Sequence, residues 1–314
     1  MTTFGDQVFE FGGAPVSGGR FSSPWATHYF VDATDGAAGN GGKRPDDAMS
    51  TIQAAVSLAS AGDVIYIRPQ TYKLGTGFNR YTEDVTLTLG GTGGSGVVAT
   101  NANISIIGVT PQGRPTDFLG VRWKATTTGL QVDAPGLHLE GIGFFTETAT
   151  HAVNLRCNGA TRTQEGTTGF SMYNCAVKGD GPVYANGGNE IVISNCRFQA
   201  KHDGTVGGIN LVGSTNAVAR PVIENCDFIG GNANVMATAP IIGASPWYTA
   251  ILKNLWFDKI PTSGQFVTIS GTSCVGVIGP CYCGSDDIGA SSFDAAGMWV
   301  IAYDNDGVQA GPEA

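Results

Sequence analysis

The clearest repeat in this chain of 314 residues is Ile191-Val192-Ile193-Ser194-Asn195-Cys196-Arg197-Phe198. Five other segments share its template, which is apolar, any, apolar, any, Asn or Gly, apolar, any, large apolar: residues 103–108, 137–144, 170–177, 222–228 and 251–257. Equivalent asparagines lie 21, 30 and 29 residues apart, so rungs of similar path length carry loops of different sizes. One rung cannot bury its own inward side chains, whereas stacked rungs can, and the pattern therefore predicts a solenoid.

The template assigns a position to each side chain in the predicted stack. One turn is predicted to hold a column of asparagines, because Asn tolerates left-handed backbone and its amide can bond the next amide: Asn174, Asn195, Asn225 and Asn254. A first inward column is predicted from Ile142, Cys175, Cys196, Cys226 and Leu255. A second is predicted from Phe144, Val177, Phe198, Phe228 and Phe257.

Composition agrees with a mostly β chain. The 47 glycines are about twice the usual ~7% and follow no Gly-X-Y period, which excludes collagen. Val, Ile, Thr, Asn and Gly are plentiful, as short strands joined by tight turns require. The 17 Lys and Arg against 26 Asp and Glu give a net charge of −9, without any basic run. Nucleic acid is therefore not an expected partner.

The N-terminal part contains the one helical pattern. A strand is predicted at Tyr29–Asp32, and after a Gly-rich loop a helix is predicted over residues 44–61. Pro45 opens this segment, and Gly62 supplies its C-terminal stop. A strand follows at Asp63–Arg68 and ends at Pro69, which lacks the N–H needed to continue a ladder.

This succession, together with Thr51-Ile52-Gln53-Ala54-Ala55 and Tyr72, resembles the N-terminal cap and first rung of right-handed parallel β-helix proteins. That family includes pectate-lyase-like enzymes and many bacteriophage virion proteins. The resemblance is close over residues 29–72 and continues beyond them through the repeat. It implies an all-β, single-stranded right-handed parallel β-helix with an N-terminal capping helix, and the asparagine column is similar to the family's asparagine ladder.

We expect three regions. Residues 1–24 form an extended N-terminal arm that docks its apolar side chains on a partner, the alternative being a frayed terminus or a strap over the core. The predicted anchoring residues are Phe4, Val8, Phe9 and Phe11. Residues 25–72 form the cap and first rung, and residues 73–314 form the β-helix body with its C-terminal cap.

Enzymes on this fold usually cut acidic polysaccharides and need paired carboxylates or an Asp cluster with a basic residue. The best catalytic candidates leave equivalent strands of adjacent rungs, about 4.8 Å apart, and include one His that could act as acid or base. They are Lys178, Asp180, Lys201, His202 and Asp203. The alternative is a solvated charged turn, which we favour because no second carboxylate cluster accompanies them.

No cofactor or metal is expected. Asp32, Asp35 and Asn40, like Asp304–Gly307, contain fragments of a calcium loop but lack its distant Glu. Cys274, Cys281 and Cys283 have no nearby His and no Cys-x-x-Cys pair, and so make a poor zinc site. The remaining cysteines recur once per rung, which is typical of core packing.

The sequence predicts synthesis in a host cytoplasm, because no signal peptide is recognisable and the seven cysteines are an odd number without disulfide spacing. No stretch has the ~20 apolar residues of a membrane span, so no membrane partner is expected.

The resemblance and the arm favour a structural bacteriophage virion protein, a capsid decoration or spike protein. Its expected partners are the major capsid protein or the tail, host surface glycans, and further copies of the chain, with a trimer as the form implied by the family. The alternative is a polysaccharide lyase or hydrolase, including a tailspike depolymerase, in which Trp247, Tyr248 and the outward Trp256 stack on sugars. A third hypothesis, a cell-surface receptor binder, would need an export signal.

Overall fold

A computed structural model of the chain describes most of the predicted rungs. The described residues are 10–11, 14–15, 26–69, 81–88, 101–109, 120–146, 149–156, 166–200, 208–212, 217–230, 238–244, 246–258, 264–270, 274–284, 292–295, 297–303 and 309–310. The predicted anchoring residues Phe4, Val8 and Phe9 and the catalytic candidates Lys201, His202 and Asp203 lie outside this set.

The described elements are one α-helix, one 3-10 turn and many short strands. In chain order the first are β1 (Glu10–Phe11), β2 (Ala14–Pro15), β3 (His28–Val31), the 3-10 turn Pro45–Asp47, α1 (Ile52–Leu58), β4 (Val64–Ile67), β5 (Tyr81–Thr82), β6 (Val85–Leu87), β7 (Ser105–Gly108), β8 (Val121–Lys124), β9 (Leu130–Val132), β10 (His138–Glu140), β11 (Ile142–Thr146), β12 (Val153–Leu155), β13 (Ser171–Tyr173), β14 (Ala176–Gly179) and β15 (Val183–Ala185). The others are β16 (Gly188–Asn189), β17 (Val192–Ser194), β18 (Arg197–Gln199), β19 (Ile209–Leu211), β20 (Val218–Ala219), β21 (Val222–Glu224), β22 (Asp227–Ile229), β23 (Ile241–Gly243), β24 (Trp247–Lys253), β25 (Leu255–Phe257), β26 (Val267–Ile269), β27 (Val275–Cys283), β28 (Phe293–Ala295), β29 (Met298–Tyr303) and β30 (Gln309–Ala310).

The strands stack into a right-handed parallel β-helix, which confirms the predicted fold. One sheet has eight parallel strands, one from each of eight successive rungs: β6, β9, β12, β15, β19, β23, β26 and β28. The other, the long sheet, contains twenty strands and bends at the asparagine turn. Its first limb runs from β4 through β7, β10, β13, β17 and β21, and its second limb from β8 through β11, β14, β18, β22 and β25.

The register places the predicted inward columns in the core. Phe144, Val177, Phe198, Phe228 and Phe257 occupy paired positions on successive strands. The rings of Phe198, Phe228 and Phe257 stack at centroid distances of 5.1 Å, close to the rung spacing. Ile142, Cys175, Cys196, Cys226 and Leu255 are fully buried, as predicted. The core is therefore built from columns of apolar side chains that occupy equivalent positions on successive rungs.

The asparagine turn also forms as predicted. Asn174, Asn195, Asn225 and Asn254 all have φ between 51° and 55°, the left-handed region that Asn tolerates better than other side chains. The Nδ2 of Asn195 donates to the Oδ1 of Asn174 at 2.5 Å, and the Nδ2 of Asn254 donates to the Oδ1 of Asn225 at 3.1 Å. These two amide hydrogen bonds tie neighbouring rungs together at the turn.

The predicted helix over residues 44–61 was too long. Pro45 opens only the 3-10 turn, and Met49 then extends to form a β-bridge with Val31. The α-helix starts after Thr51, whose hydroxyl accepts from the N–H of Ala54. Its buried face packs against β3, β4 and β6, the first strands of the two sheets. Whether α1 acts as a cap over the end of the β-helix stays a prediction.

The asparagine turn yields a test of stability. Asn225→Ala should lower the free energy of unfolding by about 1.5–3 kcal/mol, because Ala pays about 1–2 kcal/mol for left-handed backbone and the amide hydrogen bond is lost as well. Asn225→Gly is the matched control and should lose only about 0.5–1.5 kcal/mol, because Gly adopts this backbone freely. Urea unfolding of both variants measures the difference, and equal losses would contradict the role assigned to the backbone.

Candidate functional site

Charged side chains on the outside of the β-helix are paired along its axis. Five of the described ion pairs join equivalent positions on, or directly after, neighbouring strands of one sheet, so each of the five bridges two rungs. The bridges are Asp32–Arg68 at 2.5 Å, Asp133–Arg156 at 2.5 Å, Glu190–Arg220 at 2.8 Å, Arg197–Asp227 at 3.4 Å and Glu224–Lys253 at 2.8 Å. Partly exposed pairs contribute roughly 0–1 kcal/mol each. These charges brace the stack, and they do not converge on one point.

The two aspartates considered as calcium-loop fragments belong to this bracing. Arg68 Nη1 lies 2.5 Å from Asp32 Oδ2 and 2.7 Å from Asp35 Oδ2. The pKa of Asp32 is lowered: its burial would raise it, but the hydrogen bonds from Arg68 and from the backbone N–H groups of Thr34 and Asp35 outweigh that effect. The carboxylates of Asp32 and Asp35 thus both bind the guanidinium of Arg68.

One polar cluster that sequence reasoning missed lies on the outer face of the first limb. His138 and Ser171 are paired across β10 and β13, and Glu140 is two residues further along the same face. His138 Nδ1 is 2.9 Å from Ser171 Oγ, and His138 Nε2 is 3.4 Å from Glu140 Oε2. The Nδ2 of Asn174 donates to Glu140 Oε1 at 3.3 Å. The sequence signal for this cluster was the alternation of polar and apolar residues in Leu137–Glu140.

Nucleophilic catalysis often uses a Ser, a His and an acidic residue linked by hydrogen bonds, with the His between the hydroxyl and the carboxylate. Here the groups are enclosed: His138 is 3% exposed and Ser171 is 8% exposed. The pKa of Glu140 is lowered, first by the hydrogen bond from His138, which outweighs the effect of burial, and further by Asn174. We therefore interpret the cluster as a hydrogen-bonded network, buried at His138 and Ser171 and partly exposed at Glu140, that joins two rungs.

Of the predicted catalytic residues, the structure describes Lys178 and Asp180. Lys178 faces outward on β14 and pairs in register with Gln199 on β18. Asp180 follows β14, and its backbone N–H donates to Thr146 O at 3.1 Å. Both side chains are half-buried. Lys201, His202 and Asp203 lie outside the described residues, so their grouping with Lys178 and Asp180 stays a prediction.

The predicted anchoring arm is described only in part. Phe11 belongs to β1, which pairs antiparallel with β2 so that Phe11 lies opposite Ala14. The docking function of Phe4, Val8, Phe9 and Phe11 stays a prediction.

The outer face of the eight-stranded sheet carries a polar column. Gln131, Asn154, Tyr184 and Asn210 occupy paired positions on successive strands and are half-buried. The ring of His151 lies 4.8 Å from that of Tyr184, and burial lowers the pKa of His151. Amide and phenol groups in a row can exchange hydrogen bonds with the hydroxyls of a neutral sugar chain. The signal in the sequence was one polar residue between two apolar ones in the short segments Val153–Leu155 and Ile209–Leu211.

The aromatic residues proposed for sugar stacking divide between the core and the surface. Trp247 is fully buried, whereas Tyr248 and Trp256 are exposed. Trp256 faces outward, as predicted, and stacks on Tyr282 at 6.4 Å, which in turn stacks on Tyr303 at 6.0 Å. These rings cover part of one another's faces, the surface that a sugar would need.

The six described cysteines are buried free thiols: Cys175, Cys196, Cys226, Cys274, Cys281 and Cys283. Burial raises the pKa of Cys196, Cys226 and Cys281 above the ordinary thiol value. Within the part of the chain that the structure describes, no three His, Cys, Asp or Glu side chains are grouped so that they could hold a metal ion. The described helix is also too short to cross a membrane.

Comparison with known proteins finds likeness in fold only. No protein family matches the sequence, and no curated protein is significantly similar to it. A solved rhamnogalacturonan lyase aligns with 82% of this chain and 70% of its own at 17% identity, with a TM-score of 0.38. A solved pectate lyase aligns with 88% of this chain and 74% of its own at 14% identity, with a TM-score of 0.34. Both are similar to this chain in their β-helical fold.

The buried network predicts a pH-dependent stability. Because the pKa of Glu140 is lowered on folding, its ionised form stabilises the fold above the ordinary carboxyl pKa of 4.5. That contribution is lost as the pH falls through the folded-state pKa. The loss of unfolding free energy in Glu140→Gln should therefore be largest near neutral pH and shrink towards pH ~3.

Urea unfolding between these pH values measures the effect, and the His138→Asn background provides the control. Glu140→Gln should cost less there, because the donor to the carboxylate is absent. An effect of Glu140→Gln that is independent of pH would contradict the network.

The thiols give a second test. Iodoacetamide should leave the six described cysteines unmodified in the folded protein and modify all of them in urea, because burial both excludes the reagent and disfavours the thiolate. Peptide mapping by mass spectrometry identifies each site. Rapid modification of Cys196 or Cys226 under native conditions would show that the inward column of cysteines is accessible to solvent.

Proposed function

We propose that the chain is a structural component of a bacteriophage virion, a capsid decoration or spike protein attached through its N-terminal arm. The observation that carries the proposal is the axial pairing of outward charges. Pairs such as Asp133–Arg156 and Glu224–Lys253 join neighbouring rungs, so these charged groups bind one another. A continuous core of aligned columns and braced rungs makes a stiff rod, which is the mechanical property that a projection on a particle needs.

The sequence of the arm supports the attachment. Phe4, Val8, Phe9 and Phe11 lie among Gly and Ser residues before the first rung, a composition that binds by ordering on a partner surface. We propose the major capsid protein or a tail protein as that partner. The rest of the rod then projects from the particle, where it stabilises the shell or contacts the host surface.

A second candidate function is a polysaccharide lyase or hydrolase, including a tailspike depolymerase. The polar column of Gln131, Asn154, Tyr184 and Asn210 favours it, because this row could follow the hydroxyls of an extended sugar chain. The catalytic residues would be Lys178, Asp180, Lys201, His202 and Asp203. The net charge of −9 disfavours an acidic polymer as the substrate.

Particle binding tests the first proposal. The full chain should cosediment with assembled capsids or tails, and the double substitution Phe9→Ser with Phe11→Ser should reduce the bound fraction at least ~10-fold, as loss of buried aromatic anchors does. Phe21→Ser is the matched control, because it changes an aromatic of the same arm outside the predicted anchoring set. Binding that is unaffected by the double substitution would contradict attachment through the arm.

Glycan degradation on the same samples tests the second. We expect no product from a panel of neutral and acidic polysaccharides. Product formation by the wild type that Asp203→Ala or Asp180→Asn abolishes would replace the structural proposal with the enzymatic one. Binding without cleavage, lost in Asn154→Ala, would assign the polar column to glycan recognition alone.

A further inference from the structure

Large exposed apolar side chains gather at one end of the rod. Among the described residues nine large apolar side chains are exposed, and all of them except Leu58 lie in the last three rungs. We call these eight the corner surface: Tyr248, Ile251, Trp256, Val275, Val277, Tyr282, Trp299 and Ile301. Trp299 is the most open of them, at 67%.

The register shows that these side chains form one surface around the bend of the long sheet. Ile251, Val277 and Trp299 occupy paired positions on β24, β27 and β29 and face outward on the first limb. On the second limb Trp256 pairs with Tyr282, which pairs with Tyr303. These side chains form two flanks that meet at the asparagine turn. Tyr248 and Val275 pair with each other beyond the left-handed turn at Thr249, next to the first flank.

The strands β27 and β29 carry no charged residue. Neither Val275–Cys283 nor Met298–Tyr303 contains an Asp, Glu, Lys or Arg. In the rung before them, by contrast, Lys253 pairs with Glu224. The outward faces of β27 and β29 are therefore apolar, and large exposed apolar patches mark protein interaction sites.

The corner surface is larger than the apolar patches of most monomers. Aromatic side chains offer roughly 150–250 Å² each, and with the exposed fractions of its eight side chains the corner surface amounts to on the order of 700–800 Å². This exceeds the roughly 300–600 Å² of the largest apolar patch on a typical monomer. Divided between two contacts of each copy, it gives each contact roughly half of the ~800 Å² per partner of a standard interface.

We propose that copies of this chain associate side by side through the corner surface, with one flank of each copy packed against the other flank of its neighbour. A contact between two different flanks builds a ring where the rotation from copy to copy closes and an open filament where it does not, and three copies are the smallest ring of this kind. The proposal goes beyond the virion function and does not depend on it. It gives the expected self-association a defined surface.

A second copy of the chain fits this surface, because the uncharged strands β27 and β29 would then meet another uncharged surface. Two chains of net charge −9 repel one another through the rest of their surfaces, so this is where they can meet. The stacked rings of Trp256, Tyr282 and Tyr303 cover part of one another's faces, which leaves less ring face for a sugar. Side-by-side packing also keeps all rods parallel, with their N-termini at one end.

The test is the mass of the full chain by light scattering at about 50 µM, above the micromolar Kd of a weak interface. We expect a species of more than one 32.4 kDa chain that is favoured by added salt, because salt screens the repulsion between acidic rods. Trp299→Glu and, separately, Val277→Glu should raise the apparent Kd about 30-fold or more, as loss of an interface anchor does.

Leu58→Glu is the matched control, since it places the same charge on the exposed apolar residue outside the corner surface. It should leave the mass unchanged. Circular dichroism must show that all three variants keep the wild-type fold. A wild type that is monomeric at this concentration overturns the proposal, whatever else then covers the surface. An oligomer that persists in both corner variants, or that Leu58→Glu disrupts equally, also overturns it.

Discussion

The fold depends on the parallel stacking of one rung on the next at identical register. A rung of three short strands has too little buried area to be stable, but a copy placed about 4.8 Å away covers its inward side chains and completes its backbone hydrogen bonds. Every other feature follows from this constraint. Like residues stand above like in the core, Asn stands above Asn at the turn, and opposite charges meet across rungs on the outside.

The same constraint shapes what the surface can do. In a solenoid an outward position is repeated in every rung, so a column of side chains is the natural unit of function rather than a pocket. The described chain shows three such columns in different chemical forms. The cluster of Ser171, His138 and Glu140 is hydrogen-bonded and largely buried, the polar column of the eight-stranded sheet is half-buried, and the corner surface is exposed and apolar.

Much of the architecture could be predicted from the sequence, because rung stacking requires similar residues at the same positions of each rung, within a few residues of one another. Asn195 and Asn225 need left-handed backbone, and Phe198 and Phe228 need an inward position, and both requirements are met by spacing within a few residues. The length of the helix could not be predicted in this way. Residues 44–61 have helical periodicity at one face, but Met49 pairs with Val31 in the folded chain. Ala48 and Thr51, on either side of this bridge, have extended backbone, so the helix begins only after Thr51.

The sequence by itself determined the repeat, the inward columns, the asparagine turn and the outward direction of Trp256, since each follows from alternation along one strand. Only the tertiary structure decided which outward side chains become neighbours. His138 meets Ser171 across 33 residues, and Val277 meets Trp299 across a loop whose length the template does not specify. The physical reason is that the loops between rungs vary in length, so the vertical register that builds these surfaces is fixed by packing and not by spacing in the chain.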